Sequence, residues 1–242
     1  MFSAKMNSRI ASFALAGAML AAPAAAMAGV VVKSTGPSSS QYPVGSKIAD
    51  SATITLKNGD SITVLTSRGT KVMKGAGTFK VGERPKATRA RFSAITRKRA
   101  ANRSRTGASR GTGGDAVTVT NPNLWYVDVT KPGTVCLNDF DAVRFWRPDS
   151  DAIATYNLSA DDASVAITFD AKDSVAPLDP ALMSITPGGT YTISGLGEGA
   201  ADVKVTFALI EEDYRRADQL AEALIAAGCT TQLNQLADRL GA

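Results

Sequence analysis

Apolar and polar residues alternate along most of the chain, in short runs that turn-forming residues separate. Residues 52–57 and 61–66 alternate in this way on either side of Asn58-Gly59. Alternation places one face of a strand against a core and leaves the other face in water. Asn-Gly supplies the positive φ angles of a type I′ turn. The pattern therefore predicts a β-hairpin within a small antiparallel β unit that covers residues 29–83.

Residues 117–242 continue this alternation and then change period. Short runs separated by Pro-Gly, Pro-Asp and Gly-rich turns extend to Leu209. About seven such strands, with turns every eight to twelve residues or so, are typical of a β-sandwich. From Tyr214 onward, apolar residues recur at helical spacing, with a break at Gly228. The predicted fold class is mainly β: a small antiparallel β unit plus a β-sandwich with two C-terminal helices.

The first 28 residues have the layout of a secretory signal peptide. Lys5 and Arg9 precede an apolar run over residues 10–22, and Ala26-Met27-Ala28 places small residues where a signal peptidase cuts. A retained membrane anchor is the alternative, but the run is shorter than the ~20 residues that span a bilayer as a helix. We therefore expect cleavage before Gly29, a periplasmic or secreted protein, and no transmembrane segment after cleavage.

Export changes the interpretation of the two cysteines, Cys136 and Cys229. In an oxidising compartment, an even number of cysteines favours a disulfide over two separate core thiols. The bond would close a loop of about ninety residues, worth up to ~4.7 kcal/mol in the chain-entropy model. It would tie the helical C-terminal segment to a strand. Because the chain contains no His, two cysteines make a poor metal site, and we expect no metal or other cofactor.

Positive charge is concentrated between the two predicted units. Residues 84–110 contain ten basic residues and no acid, with Phe92 and Ile95 as the only large apolar residues. So little apolar surface does not repay the entropy of ordering the segment, so residues 84–116 are predicted to form a basic flexible linker. The alternative is adsorption to an anionic envelope surface; we expect no nucleic acid partner outside the cytoplasm. The candidate surface-binding residues are Arg97, Lys98, Arg99, Arg103 and Arg105.

Carboxylates are the remaining candidates for catalysis. Asp149, Asp151 and the pair Asp161-Asp162 lie at predicted turns. Asp is favoured at turns by local backbone hydrogen bonds alone. Two carboxylates that face each other across a cleft would instead suit a hydrolase.

Two aromatic doublets, Trp125-Tyr126 and Phe145-Trp146, lie on predicted strands. Alternation puts one residue of each doublet on each face of its strand, so at least one aromatic pair is expected in the core. The second pair either joins a core as well or stacks on a sugar ring.

Three short stretches have a pattern of strand and turn residues similar to that of a known β domain. They are Val44-Gly45 through Ile48, the run from Ile54 to Leu65 around Asn58-Gly59, and Gly75 to Phe79. Together they resemble the FecR-type periplasmic β domains of envelope sensors and exported proteins. The resemblance implies an antiparallel β domain and transfers no functional residue. The chain as a whole resembles uncharacterised exported proteins of Gram-negative bacteria.

These features favour a non-catalytic periplasmic binding or interaction module, accessory to an envelope complex. Its expected partner is an envelope protein or a glycan. The alternative is a carboxylate-dependent cell-wall or polysaccharide hydrolase. A surface-adsorbing structural protein that uses the basic segment is a third interpretation.

Overall fold

The structure is a computed structural model that describes residues 27–83, 89–97, 119–197, 199–211 and 213–241. Within these ranges the chain forms fourteen strands and three helices. Two of the helices follow the last strand. The predicted fold class, mainly β with two C-terminal helices, is confirmed.

The N-terminal part contains six strands in two sheets. They are β1 (Met27–Thr35), β2 (Lys47–Ala49), β3 (Thr53–Leu56), β4 (Ser61–Thr66), β5 (Gly69–Lys74) and β6 (Gly77–Lys80). The larger sheet is antiparallel with the order β2-β1-β4-β5, and β3 pairs with β6 in the smaller sheet. Side chains from both sheets, among them Val31, Ile54 and Val64, form one apolar core.

The hairpin predicted around Asn58-Gly59 is wrong in its pairing, although the turn is present. Gly59 has a φ of +85°, but β3 pairs with β6, whereas β4 pairs with β1 and β5. The chain crosses between the two sheets at this turn, so Ile54 and Ile62 reach the same core from different sheets. Alternation predicts which residues face a core, and it contains no information about which strand is the partner.

The buried carboxylate of Asp60 holds this crossing in place. Asp60 is 3% exposed, and its two oxygens accept hydrogen bonds from the Ser38 amide at 2.9 Å and the Lys57 amide at 2.6 Å. Burial raises the pKa of Asp60, but hydrogen bonds from Ser38 and Lys57 outweigh burial and leave its pKa below the ordinary value. Gly36 packs so closely that a Cβ there would lie 2.7 Å from the Asp60 Cα.

The C-terminal part is a sandwich of a five-stranded and a three-stranded sheet. Its strands are β7 (Tyr126–Asp128), β8 (Gly133–Leu137), β9 (Arg144–Trp146), β10 (Ala154–Ala160), β11 (Ala163–Phe169), β12 (Val175–Pro177), β13 (Thr190–Ser194) and β14 (Val203–Leu209). The sheet orders are β11-β10-β13-β14-β8 and β12-β9-β7. The pairs β14–β8 and β7–β9 are parallel. Phe145, Phe169 and Phe207 are buried in the core between the two sheets.

Three helices form a layer between the N-terminal sheet and the sandwich: α1 (Arg89–Thr96), α2 (Ala217–Ala226) and α3 (Thr230–Gly241). Their apolar faces form one cluster, here called the shared cluster, with Val30, Val32 and Leu65 of the N-terminal sheet. Cys136 and Ile210 join it from the sandwich side. Because Val31 faces the opposite core, the central strand β1 is buried on both faces.

Helix α1 lies inside the range that the sequence predicted as a flexible linker. Phe92 and Ile95, the two large apolar residues of that range, are buried in the shared cluster. The Ile95 carbonyl accepts a hydrogen bond from the Leu124 amide at 2.8 Å. These two apolar side chains are enough to order α1 because they pack against an apolar surface that the other two helices and the N-terminal sheet form. Residues 84–88 and 98–116 lie outside the described residues, and the division into two units stays a prediction.

A disulfide joins Cys136 in β8 to Cys229, which lies between α2 and α3, with the two Cα atoms 5.8 Å apart. Both cysteines are fully buried. As the sequence predicts, Gly228 follows the end of α2 as its first residue of non-helical conformation, with a φ of +74°. The amides of Gly228 and Cys229 donate to carbonyls of the last helical turn, a Schellman ending that turns the chain back over β8.

Residues 1–26 of the predicted signal peptide lie outside the described residues. Met27 and Ala28 form the start of β1, and Gly29 pairs with Ile48 on one side and Thr66 on the other. Cleavage before Gly29 stays a prediction. In the described part of the chain, no helix has the length and apolar character needed to cross a membrane.

The replacement Asp60→Asn should lower the melting temperature at neutral pH, because the amide is uncharged and offers one acceptor oxygen where the carboxylate offers two. A carboxylate with a lowered folded-state pKa stabilises the fold above its unfolded value, near ~3.9. This stabilisation is lost as the pH falls through the folded-state pKa. Thermal unfolding from pH 7 down to pH 2 should therefore show the two proteins converging at the acid end. A difference that stays constant with pH would contradict the role of the charge; Asp202→Asn, on an exposed residue, is the control.

Candidate functional site

The candidate surface-binding residues are only partly within the described chain. Arg97 follows α1 directly and is exposed, and its carbonyl accepts a hydrogen bond from the Asn123 side-chain amide at 2.9 Å. Lys98, Arg99, Arg103 and Arg105 lie outside the described residues. The structure therefore places one of the five predicted residues, at the C-terminal end of α1.

The acidic residues noted in the sequence lie on exposed turns of the sandwich. Asp151 forms an ion pair with Lys172 at 2.7 Å, and this partner lowers the pKa of Asp151. Asp149 accepts a hydrogen bond from the Asp151 amide. Asp161 and Asp162 form the turn between β10 and β11, where Asp161 has a φ of +49°. All of these positions fit the local backbone role that Asp has at turns.

Three residues of the aromatic doublets, Tyr126, Phe145 and Trp146, are buried, and Trp125 is half-buried. Phe145 belongs to the sandwich core, and Trp125 packs against the shared cluster while its indole N–H donates to the Thr96 carbonyl at 2.9 Å. Tyr126 and Trp146 form a small cluster with Val175 and are 6% and 3% exposed. Within the described chain, Tyr126, Phe145 and Trp146 therefore offer no exposed ring face on which a sugar could stack.

A groove of about 720 Å³ runs between α3 and the edge strand β7. It is here called the α3 groove. One wall is formed by α3, and the other by β7 and the turn after it, with Trp146 from β9 and the segment before β7 completing it. The side chains that line it include Asn121, Tyr126, Asp128, Lys131, Trp146, Gln232, Asn234, Gln235, Asp238 and Arg239.

Gln232 fastens α3 to the edge of the sandwich. Its amide N–H groups donate to the carbonyls of Cys136 at 2.7 Å and Leu124 at 2.8 Å, and its carbonyl accepts from the Cys136 amide at 2.6 Å. Gln232 is 4% exposed. Its side chain thus satisfies both backbone groups of Cys136 on the outer side of β8, where a neighbouring strand would otherwise bind.

A second set of polar side chains holds the segment that leads into β7. The Gln235 amide and the Arg239 guanidinium both donate to the Asn121 carbonyl, at 2.8 Å and 3.0 Å. The Asn121 side chain in turn donates to the Tyr126 carbonyl at 2.9 Å. These bonds tie the segment before β7 to α3, and one of them occupies the Tyr126 carbonyl at the start of β7.

Tyr126 lines the groove, and its hydroxyl is buried and has no hydrogen-bond partner among the described residues. Burial raises the pKa of Tyr126 above its ordinary value, and the nearby charge of Arg144 offsets this only in part. The hydroxyl therefore keeps its proton and remains a donor at neutral pH. An unsatisfied buried polar group is rare in native proteins and requires an explanation.

Arg239 presents a second donor of this kind. Its Nε atom is buried and lacks a partner within the described chain, whereas its terminal nitrogen binds the Asn121 carbonyl. Lys131, which is exposed, adds a further positive charge to the rim. The two carboxylates of the groove are engaged: Asp128 accepts from the Thr130 hydroxyl at 2.7 Å, and Asp238 pairs with Lys33 at 2.6 Å.

Within the described ranges, no three or more His, Cys, Asp or Glu residues converge in an arrangement that could hold a metal ion. The groove offers the buried donors of Tyr126 and Arg239, and its lining balances two basic side chains, Lys131 and Arg239, against the carboxylates of Asp128 and Asp238. This chemistry suits a ligand with exposed acceptor oxygens.

Of the two residues that define the groove, the sequence pattern identifies Tyr126 only as a member of an aromatic doublet, and it does not identify Gln232. Gln232 is a single polar residue on the apolar face of α3, four residues before Leu236, and that irregularity is the available signal. Nothing in the sequence around Tyr126 indicates that its hydroxyl would be buried without a partner.

Compared with known proteins, the chain matches no family model, no curated protein and no solved structure.

Replacing Gln232 by Ala should lower the free energy of unfolding by at least about 2 kcal/mol. Three buried backbone groups lose their partner, and each such loss costs about 1–3 kcal/mol. Urea denaturation followed by circular dichroism measures the effect. The matched control is Asn234→Ala, on an exposed residue of the same helix, which should change stability by less than about 0.5 kcal/mol. Equal effects in the two variants would contradict the role assigned to Gln232.

Replacing Tyr126 by Phe should leave the free energy of unfolding unchanged or raise it by up to about 1 kcal/mol, because it removes a buried donor that has no acceptor. Tyr191→Phe is the matched control with the opposite expectation. The Tyr191 hydroxyl accepts from the Thr186 amide at 3.1 Å and donates to the Ser184 carbonyl at 3.3 Å, so its loss should destabilise by about 1 kcal/mol. If both variants lose stability to the same extent in urea denaturation, the Tyr126 hydroxyl has a structural partner.

Proposed function

We propose that the protein is an exported, non-catalytic binding module that holds a carboxylate-bearing peptide segment of an envelope partner in the α3 groove. The observation that carries this proposal is the Tyr126 hydroxyl, a buried donor that no acceptor in the described chain satisfies. Such a group lowers the stability of the free protein. A ligand that supplies the acceptor recovers that free energy on binding.

The chemistry of the groove selects the ligand class. The Tyr126 hydroxyl and the Arg239 Nε are both donors without an acceptor among the described residues, and a carboxylate accepts from donors of this kind more strongly than a neutral group does. Lys131 provides a complementary charge at the rim. The side-chain amide of Asn234 offers both a donor and an acceptor, and the Gln235 side-chain carbonyl offers an acceptor, as a peptide backbone requires. Because the rings of Tyr126 and Trp146 are buried, a peptide fits this groove better than a glycan that relies on ring stacking.

The setting in the cell envelope rests on two observations. Residues 1–28 have the layout of a signal peptide, and Cys136 and Cys229 lie within bonding distance, which is consistent with an oxidising compartment. The FecR-like interpretation of residues 44–79 agrees with an antiparallel sheet in this part of the chain. In this proposal the N-terminal sheet is a domain of that type, and the protein is an accessory to an envelope complex.

The alternative of a carboxylate-dependent hydrolase has less support from the groove. Asp128 and Asp238 are its two acids, and each is held by a structural partner, Thr130 and Lys33 respectively. A hydrolase requires one carboxylic acid to donate a proton to the leaving group and one carboxylate to act opposite it. We therefore favour binding over hydrolysis.

A peptide array tests the ligand class. Random hexapeptides are displayed in two matched sets, one with free C-terminal carboxylates and one with amidated ends. The protein should bind a subset of the free-carboxylate peptides, and Tyr126→Phe should weaken the best of them by about tenfold, the value of one charge-assisted hydrogen bond. Isothermal titration with the selected peptides measures the affinities.

The control for this experiment is Tyr156→Phe, which removes the same atom from a residue of the sandwich whose ring packs on Phe169. Its affinity for the selected peptides should equal that of the wild type. Equal binding of free and amidated peptides would overturn the carboxylate assignment. Binding that Tyr126→Phe leaves unchanged would move the ligand away from the α3 groove, and exclusive binding to an acidic glycan array would overturn the peptide class.

A further inference from the structure

A second cleft, of about 260 Å³, is lined by four arginines from three separate stretches of chain. Arg68 lies in the turn between β4 and β5, Arg89 begins α1, and Arg215 and Arg216 precede α2. Phe92 forms part of the floor. We call this the arginine cleft. It lies beside the N-terminal sheet, and none of its lining residues belongs to the α3 groove.

The position of α1 is fixed by hydrogen bonds as well as by packing. The Thr96 carbonyl accepts from the Trp125 indole at 2.9 Å, and the Asn123 side chain donates to the Arg97 carbonyl at 2.9 Å. Phe92 is 4% exposed and belongs to the shared cluster. Because Arg89 lies one turn before Phe92, the docking of α1 places Arg89 in the lining of the cleft together with Arg68 and Arg215.

The arginine cleft has an excess of positive charge. Arg68 forms an ion pair with Asp50, and Arg216 forms a bidentate pair with Asp218. Arg89 and Arg215 have no acidic partner among the described residues, and no acid is among the residues that line this cleft. An adjoining cleft of about 480 Å³ shares Arg89 and Arg215; it adds the exposed residues Arg97 and Asp213.

Backbone and hydroxyl groups lie beside the arginines in the lining of the cleft. Ala217, the first residue of α2, lines the arginine cleft, so the N-terminal end of α2 lies at the cleft, where Asp218 of its first turn is paired with Arg216. Thr66 and Ser67 from the β4–β5 turn contribute polar groups beside Arg68. Guanidinium groups bind phosphate oxygens through paired, charge-assisted hydrogen bonds.

We propose that the arginine cleft binds a phosphate group, with Arg89 and Arg215 as the principal ligands. Two arginines without acidic partners match the charge of one phosphate dianion, and Arg68 and Arg216 keep further N–H donors after their ion pairs are made. The site accepts a phosphomonoester, and the chemistry is the same for a lipid headgroup and for a soluble phosphate ester. This site is independent of the peptide proposed for the α3 groove.

Isothermal titration of the full chain with inorganic phosphate at low salt tests the site. The wild type should bind with a stoichiometry of one, and Arg89→Gln/Arg215→Gln should weaken binding by at least about tenfold. The matched control is Lys74→Gln/Lys204→Gln, which removes the same net charge from exposed positions on other strands and should bind like the wild type. All four positions are exposed, so thermal unfolding should show both double variants folded.

Two results would overturn the proposal. The first is phosphate binding by Arg89→Gln/Arg215→Gln that equals the wild type. The second is equal weakening in both double variants, which would assign the binding to net charge rather than to the cleft. Co-sedimentation then separates the sources of phosphate, using phosphatidylcholine vesicles with and without phosphatidic acid. Sedimentation that depends on phosphatidic acid and on Arg89 and Arg215 assigns a lipid headgroup, whereas phosphate binding without sedimentation assigns a soluble ester.

Discussion

Burial of the helical layer from both sides is the constraint on which the rest of the structure depends. The apolar faces of α1, α2 and α3 cannot be covered by the sandwich alone, since Val30, Val32 and Leu65 of the N-terminal sheet belong to the same cluster. The N-terminal sheet in turn needs the helices, because its strand β1 is apolar on both faces. The disulfide and the three hydrogen bonds of Gln232 fasten this layer to β8, so the helices cannot move away from the sandwich without exposing all three parts.

Both clefts lie at margins of this layer. The α3 groove lies where α3 meets the edge strand β7, and the arginine cleft lies where α1 and the start of α2 meet the turn between β4 and β5. Each therefore combines residues from elements that are far apart in sequence. The contents differ in kind: the groove has buried donors that lack acceptors, whereas the cleft has exposed guanidinium groups with excess charge.

The local sequence pattern predicted the strands and helices themselves better than it predicted which strands pair and where the helices dock. Alternation identified Ile54 and Ile62 as core residues, and helical spacing with Gly228 identified α2 and α3. The pairing of β3 with β6, by contrast, depends on contacts between distant segments, and so does the docking of α1 through Phe92 and Ile95. The two sites were beyond prediction for the same reason. Whether the Tyr126 hydroxyl finds an acceptor, and whether Arg89 meets Arg215, is decided by the packed neighbours rather than by adjacent residues.

The shared cluster also determines when the N-terminal sheet can complete its folding, because the chain is synthesised from its N-terminus. Residues 27–83 are synthesised before the C-terminal helices. The apolar face formed by Val30, Val32 and Leu65 is nevertheless covered by helices that end at Gly241. Until the last segment has emerged, that face is open to contact with other chains. A truncation within α3 would therefore uncover apolar residues near the beginning of the chain, about two hundred positions away in sequence.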